Sequence, residues 1–525
     1  MSNYKVISSA GNIFSNIELD RISAYMIITI LSVIVGVIML LTDGNILAAL
    51  GLVTGVSILL ITFYRVDLGF FIFISMVLLF DQFHIPEAHP ITYKIDYFKN
   101  LKQIPYVPHF SAGVMNPVEL QLVLMLLAWF VAISVRKSTR VQHIPVWGLA
   151  VIFFLSLIIA LLHGLGTGGT FLPSLWELRA LFYFGFLYFF VPQIIQTKSQ
   201  LEALFWIFII FITIKALQGA ARFIFYGFSF RGLETLTNHE DPVFITLLII
   251  FLLSMILLDC KSKQRTALVI LFTPLVLGFF AGQRRAAYAG LFISLITFVI
   301  LLNGHERMIL LKAFFPFLIF GIIYCAVFWN SNSKLASPVK LVKSGFTTNK
   351  KEDGERYLSN LYRKFERYDL AVTLRTSPVT GLGFGKKYML PIPLPPIPFP
   401  LRDYIPHDEI LWLLIKTGAV GFFIFWLFID SLLIHSSTLS DKLRDPYLRS
   451  ICIVITIALI NQMVVSYYDL QLTYYRNMIV LGTLCGLLPA LKNIDKKQNN
   501  VPMQEYNDVN EEESYSEVET ENLEV

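Results

Sequence analysis

The residues best suited to chemistry stand at the edges of apolar runs. His407 follows a proline-rich stretch and opens the run HDEILWLLIKTGAVGFFIFW, with Asp408 and Glu409 directly after it. An imidazole accepts a proton near neutral pH, and a neighbouring carboxylate can fix its tautomer and orientation. The same two acids also suit the first turn of a helix, where they complement its dipole, and a histidine at such a boundary can be purely structural. Arg284 and Arg285 stand together between two apolar runs in TPLVLGFFAGQRRAAYAGLFISL. Arginine binds phosphate oxygens in a bidentate fork and stays charged in any surroundings. Snorkelling to lipid headgroups is the competing use.

Arg179 lies inside an apolar run, PSLWELRALFYFGFLYFF, and Glu177 two residues before it points to a different helix face. Arg179 therefore either pairs with an acid on another helix or lines a cavity. The segment 380–385 places three glycines at alternate positions, flanked by Arg367, Arg375, Lys386 and Lys387. Such a loop can offer backbone amides to an anion, or it can simply make a tight turn. No metal site is expected. His407, Asp408 and Glu409 are consecutive and cannot converge on one ion from a regular helix, and His84, His89, His109 and His239 fall in separate loops. No cofactor is expected either.

These residues need a frame, and composition says which. The chain has 525 residues, 55% hydrophobic and only 15% charged, with 45 Phe and a mean hydropathy of +0.64. Soluble domains carry about 25% charged residues. The fold class expected is an all-α polytopic membrane protein, and a soluble enzyme or a nucleic-acid reader is excluded. Cys260, Cys325, Cys452 and Cys485 lack the paired spacing of a zinc site or disulfide framework and read as small apolar packing residues.

About fourteen spans (12–14) are expected, near 24–42, 47–64, 66–80, 117–135, 145–162, 175–195, 201–226, 242–259, 266–282, 286–302, 308–328, 410–434, 449–467 and 474–491. With an even count, the basic residues of the short loops (Arg65; Arg136, Lys137 and Arg140; Lys198; Lys261, Lys263 and Arg265; Arg307; Lys442 and Arg444; Lys492, Lys496 and Lys497) all fall on the side of both termini. The positive-inside rule makes that side the cytoplasm. No cleavable leader is expected, because the first apolar run follows a polar segment and is long enough to span.

The domain organisation expected is a cytoplasmic segment 1–23, a transmembrane bundle 24–328, a large external loop 329–409, C-terminal transmembrane helices 410–491 and an acidic cytoplasmic tail 492–525. Residues 501–525 hold nine acids and no Lys or Arg, so the net charge of +5 conceals about +14 on the rest of the chain (42 basic against 28 acidic residues). The tail reads as a disordered, solvated segment. The external segment 329–406 carries thirteen Lys/Arg and six Asp/Glu. Within it, 355–376 spaces Leu358, Leu361, Phe365, Tyr368 and Val372 as an amphipathic helix lying at the membrane face. Residues 391–400 hold six prolines in ten and form an extended strap, and strap and helix together suggest a folded cap.

The stretch TSPVTGLGFGKKYM followed by PHDEILWLLIKTGAVGFFIFW resembles the signature region of the O-antigen ligase and polymerase (WaaL/Wzy) superfamily. That family shows a P-x-x-G-x-G loop, then an external His opening a helix with a G-x-x-G, here Gly418 and Gly421. GQRRAAYAGL looks like the family's Ser-Arg element, with Arg285 in the Arg position and Arg284 replacing Ser. FERYDLAVTLRTSPVTG puts Arg367 at the family's loop-helix arginine, and TLTNHEDPVF is similar to its external Asn-containing segment, pointing to Asn238. The family usually has Asn where this chain has Asp408. Fourteen spans also exceed the commoner ten to twelve, so the resemblance covers roughly 175–490 and not the N-terminal region.

The resemblance implies a metal-independent glycosyltransferase of the bacterial cytoplasmic membrane, multi-pass with both termini inside, acting at the outer face in surface polysaccharide assembly, lipopolysaccharide included. The donor would be a glycan on undecaprenyl pyrophosphate, and the acceptor a hydroxyl on another glycan, a lipid or a protein. Membrane lipid and other polysaccharide-assembly proteins would be further partners, and nucleic acid would not. His407 and Arg285 would be catalytic. Arg284, Arg179, Arg367 and Arg375 would hold the pyrophosphate, with Asp408, Glu409 and Asn238 in support. A polymerase is preferred slightly over a ligase. The rival reading is a transporter or flippase for a lipid-linked or anionic solute, which normally carries its polar site near the bilayer midplane.

Overall fold

The computed structural model describes residues 46–83, 91–104, 114–136, 141–228, 235–331, 350–397 and 399–499, with isolated positions between 29 and 44 and between 333 and 343. The expected first span 24–42 is described only at isolated positions, and the histidines His84, His89 and His109 and the acidic stretch 501–525 lie outside the described residues. What is described is helical, with no strand. In chain order the helices are α1 (Ile46–Tyr64), α2 (Val66–Leu79), α3 (Pro117–Arg136), α4 (Trp147–Gly166), α5 (Phe171–Ile194), α6 (Lys198–Phe225), α7 (Asp241–Leu257) and α8 (Lys263–Ile270). They continue as α9 (Phe272–Ala281), α10 (Arg285–Leu301), α11 (Gly304–Phe328), α12 (Lys350–Thr376), α13 (Glu409–Lys442), α14 (Pro446–Tyr468), α15 (Tyr475–Gly486) and α16 (Leu488–Asn499).

Each expected span from 47–64 onward coincides with one of these helices or with a joined pair. Among the described residues, eight are long and apolar enough to cross a membrane: α3, α4, α5, α6, α11, α13, α14 and the run Tyr475–Gln498 made by α15 and α16. The pair α8–α9, bent by 55°, is a ninth if it counts as one crossing. Helices α2, α7 and α10 are shorter, at 14, 17 and 17 residues. The chain is therefore a polytopic α-helical membrane protein. Helices α14 and α15 are almost wholly buried inside the bundle, whereas α11 is apolar all round and almost wholly exposed. A helix apolar on every face is stable in such a position only with lipid around it.

The expected span 410–434 is broken. Gly418 takes φ 66° and ψ −176°, outside the helical region, and a Cβ there would lie 2.2 Å from the Val379 carbonyl oxygen. The break leaves the Ile415 and Lys416 carbonyls without helical donors. The loop 378–385 supplies them, with Leu382 N donating to Ile415 O (2.7 Å) and Gly383 N to Lys416 O (3.0 Å), while Ala419 N donates to Pro378 O (2.9 Å). Phe384 N donates to Ala160 O (3.3 Å) and Gly385 N to Glu177 Oε2 (2.5 Å). The glycine loop is thus a tight, structural turn whose amides are committed to protein. A buried ion pair, Lys416 Nζ to Glu177 Oε1 at 2.7 Å, fastens the break to α5.

Helix α12 spans the expected amphipathic segment, but its apolar stripe does not set its seat. Leu358 and Tyr368 are 60% and 55% exposed, whereas Glu366, Asp369, Leu370 and Thr373 are buried. The buried face is turned about 100° around the axis from the apolar one. The reason is hydrogen bonding. Asp369 Oδ1 accepts from Ile392 N (3.0 Å) and Thr373 Oγ1 from Met389 N (2.9 Å), which pins the proline strap along α12. Leu370 packs with Tyr388 and Ile415 in a small apolar cluster beneath. Satisfied polar groups here outweigh the apolar periodicity.

Candidate active site

The cap delivers His407 to the mouth of α13 with a partner from α12. Glu366, 2% exposed, accepts from the His407 backbone N–H (3.1 Å), and its carboxylate oxygens lie 3.1 and 3.2 Å from His407 Nδ1. A carboxylate only accepts, so Nδ1 carries the proton and Nε2 is left as the ring's basic nitrogen. The ring of Tyr362, one turn before Glu366, stands edge-on to the imidazole at 5.4 Å. Burial pushes the Tyr362 phenol up to about 12, so it stays a neutral packing surface.

Asp408 and Glu409 do not support His407 directly, because consecutive residues at a helix start diverge. Asp408 caps α13 through Leu411 N (3.1 Å) and holds Arg367 Nε at 3.1 Å. Burial raises the Asp408 carboxyl above its usual range, against the Leu411 amide and the Arg367 charge. Glu409 is buried and accepts from the backbone N–H groups of Gln471, Leu472 and Thr473, which fixes the turn between α14 and α15. Arg367, 40% exposed, lies with its guanidinium 4.7 Å from the ring centre of Tyr467, beside that same turn.

A second imidazole meets the turn from the other side. His239 Nδ1 lies 3.4 Å from Asp469 Oδ2 and 3.5 Å from the Tyr474 hydroxyl, and its Nε2 contacts the Arg284 guanidinium. Burial would raise the Asp469 carboxyl. The His239 hydrogen bond and charge, with Arg284 and then Arg363 nearby, instead hold it well below the usual carboxylate range. Arg363 is one helical turn before Arg367 on α12, so α12 offers charge to both clusters. The carboxylate–imidazole pairs Glu366–His407 and Asp469–His239 were not legible in the sequence, because 41 and 230 residues separate their members.

The remaining expected site residues are placed as follows. Arg285 is the first residue of α10, half-buried, at the turn carrying Arg284. Asn238 is buried, donates to Asp81, and through its backbone N–H meets Asp241 Oδ2 (3.1 Å). Asp81 in turn holds Lys215. Arg375 is exposed in the last turn of α12, two turns beyond Arg367. Arg179 is held apart from these. It donates to Asn100 Oδ1 (2.8 Å) and the Val114 carbonyl, and pairs with Glu119 Oε1 on α3 at 2.9 Å. It also lies at the edge of an apolar groove of about 730 Å³ between α3, α4 and α5, so both sequence alternatives for Arg179 are realised at once. Glu177, the acid two residues away, serves Lys416 instead.

Among the described residues, no group of three or more His, Cys, Asp or Glu side chains is arranged to hold a metal ion. The arrangement suits phosphate and proton chemistry: arginines from α9–α10 and α12 around one turn, and two oriented imidazoles. No curated protein matches the chain. Residues 266–426, a stretch that holds Arg284, Arg285, Glu366, Arg367, Arg375 and His407, match a family model described as O-antigen ligase, and in that stretch the chain is similar to this family.

Proposed function

We propose that the protein is a membrane glycosyltransferase that moves a glycan from undecaprenyl pyrophosphate to an acceptor hydroxyl at the outer face of the bacterial cytoplasmic membrane, with both termini inside. The observation that carries this reading is the Glu366–His407 pair standing over the turn that also gathers Arg367, Arg363, Arg284 and Asp469. His407 Nε2 takes the proton of the acceptor hydroxyl, and Glu366 steadies the imidazolium that forms. The hydroxyl oxygen bonds to the anomeric carbon as the bond from that carbon to the pyrophosphate oxygen breaks, with inversion. The electron pair stays on the departing pyrophosphate.

Arg284, Arg285, Arg363 and Arg367 stabilise that developing charge, which is why the reaction needs no metal in this reading. Asp469 and His239 act behind Arg284 as positioning residues. Asn238 stands one residue from His239 and fixes the same loop to Asp81. Arg375 lies two turns along α12, and it meets the donor only if the lipid-linked phosphates extend that far. Arg179 contacts the phosphates only by exchanging Asn100, Val114 and Glu119. In the structure it shapes one end of the α3–α5 groove, whose apolar walls suit a prenyl chain. The acceptor is a second lipid-linked glycan for a polymerase, which we favour, or a terminal lipid or protein for a ligase.

The test is reconstitution of the purified protein in vesicles with a glycan on undecaprenyl pyrophosphate and an acceptor, without any ion gradient. New glycosidic bonds made by the wild type, with at least a hundredfold loss for His407→Ala, support the reading; general-base groups contribute about 10²–10⁴ in rate. Movement of the donor across the bilayer with no new bond would identify a transporter instead.

A further inference from the structure

A second polar site lies on the face of the bundle opposite His407. There, the far end of α13, the start of α4 and the helix α16 enclose a cavity of about 430 Å³, adjoined by a smaller one of about 230 Å³ that shares Gln142, Pro489, Asn493 and Lys496 as its wall. His143 and His435 line the larger cavity with Lys492 and Lys496, and Lys497 closes the smaller. No acid lines either one among the described residues. Asp495, on the same helix, is turned away to accept the backbone N–H groups of Arg444 (3.2 Å) and Asp445 (3.1 Å). Asn493 Nδ2 donates to Gln142 Oε1 at 3.2 Å, which ties α16 to the segment before α4. Lys442 is close enough to act on His435 together with Lys492.

The cavity's depth in the membrane follows from its neighbours. Trp147, the first residue of α4, is 54% exposed beside it, and exposed Trp at the end of a spanning helix marks the headgroup layer. Val146, Leu488 and Pro489 form the apolar part of the lining. A ligand here meets cations and imidazoles at one end and apolar surface at the other. Basic pockets between membrane helices accept anionic lipid headgroups on this chemistry.

We propose that this double cavity binds the phosphodiester headgroup of an anionic phospholipid, with Lys492 and Lys496 on the phosphate and His143, His435 and Asn493 around it. The proposal is independent of the transferase reading. The acidic stretch 501–525 follows α16 in the sequence and is the rival anion that this chain itself carries. A run of carboxylates has no use for the apolar wall, however, and a lipid's glycerol and first methylenes do.

The experiment is native mass spectrometry of the full-length protein in detergent, titrated with phosphatidylglycerol or with phosphatidylcholine. The wild type should retain phosphatidylglycerol and not phosphatidylcholine, and glycerol 3-phosphate should compete poorly because it lacks the chains. Lys492→Gln/Lys496→Gln should bind phosphatidylglycerol about thirtyfold more weakly. The control Lys261→Gln/Lys263→Gln, basic residues elsewhere on that face, should bind as the wild type does. Equal retention by the pocket variant and the wild type overturns the proposal, as does equal retention of the two lipids. Effective competition by glycerol 3-phosphate would make the site one for a free phosphate and overturn the lipid assignment. A full-length variant with the nine acids of 501–525 changed to their amides that gains phosphatidylglycerol several-fold would show the tail as the resident anion and overturn it too. A His143→Asn/His435→Asn variant, which keeps every lysine, should lose affinity by a smaller factor and guards against misreading a folding defect.

Discussion

His407 presents one defined nitrogen because Glu366 occupies the other side of its ring. Glu366→Gln keeps the shape but turns an obligate acceptor into a group that can also donate, so the imidazole loses its fixed tautomer. Turnover in the reconstituted assay is expected to fall about a hundredfold or more with little change in the donor KM, a loss comparable to that of His407→Ala. Near-normal turnover would remove Glu366 from the reaction. Asp469 makes a different prediction, about stability. Its carboxyl titrates below the usual value of about 3.9, so its stabilising contribution is complete above that pH and fades as pH falls toward the depressed native value. Asp469→Asn should therefore melt earlier than the wild type at neutral pH. The gap should close only below about pH 4; closure between pH 7 and 5 would mean that some other group titrates there.

At the scale of elements, two helices depart from their apolar pattern for the same reason, which is that hydrogen bonds were satisfied first. The span 410–434 reads as one continuous helix in the sequence, since a lone glycine in an apolar run is unremarkable in a membrane helix. Gly418 breaks it because the loop 378–385 offers donors and acceptors at that height. Gly418→Ala places a Cβ against Val379 O and forces a positive φ on a residue that disfavours it. Protein yield and melting temperature should drop severely, more than for Ala at Gly421 three residues on; an unchanged melting temperature would show the break to be dispensable. Helix α12 carries the parallel case. Its existence and extent were legible from the 3- and 4-residue spacing of Leu358 to Val372, but its seat was not, since Glu366, Asp369 and Thr373 point to partners in 389–392 and 407 that no local pattern reveals.

Across the whole molecule, helix positions, the basic residues at the helix ends and His407 were legible in the sequence, because apolar run length and charge are local properties. What joins distant segments was not. Arg476, for instance, reads as one more charge near a helix start, yet it is buried and bonds Asp241 (3.1 Å) and the carbonyls of Val77 and Leu78, holding α15 to α7 and α2. The Lys416–Glu177 pair does the same between α13 and α5. Breaking it from one side leaves a buried charge and should cost about 3–5 kcal/mol. Lys416→Met and Glu177→Gln should each destabilise the protein more than the double variant does. A double variant at the sum of the two single losses would show that the pair is not coupled.

The break at Gly418 also separates the His407 end of α13 from the rest of that helix. Residues 409–417 are anchored to α12, to the loop 378–385 and to the turn 471–473, whereas 419–442 touch the loop only at their first two residues and then pack through Phe425, Phe428 and Leu432 in the bundle core. Long membrane helices answer a thicker or thinner bilayer by tilting. With the helix interrupted at Gly418, a tilt of the segment 419–442 would be taken up at the glycine, as in a jointed strut, and would leave the seat of His407 on Glu366 unchanged.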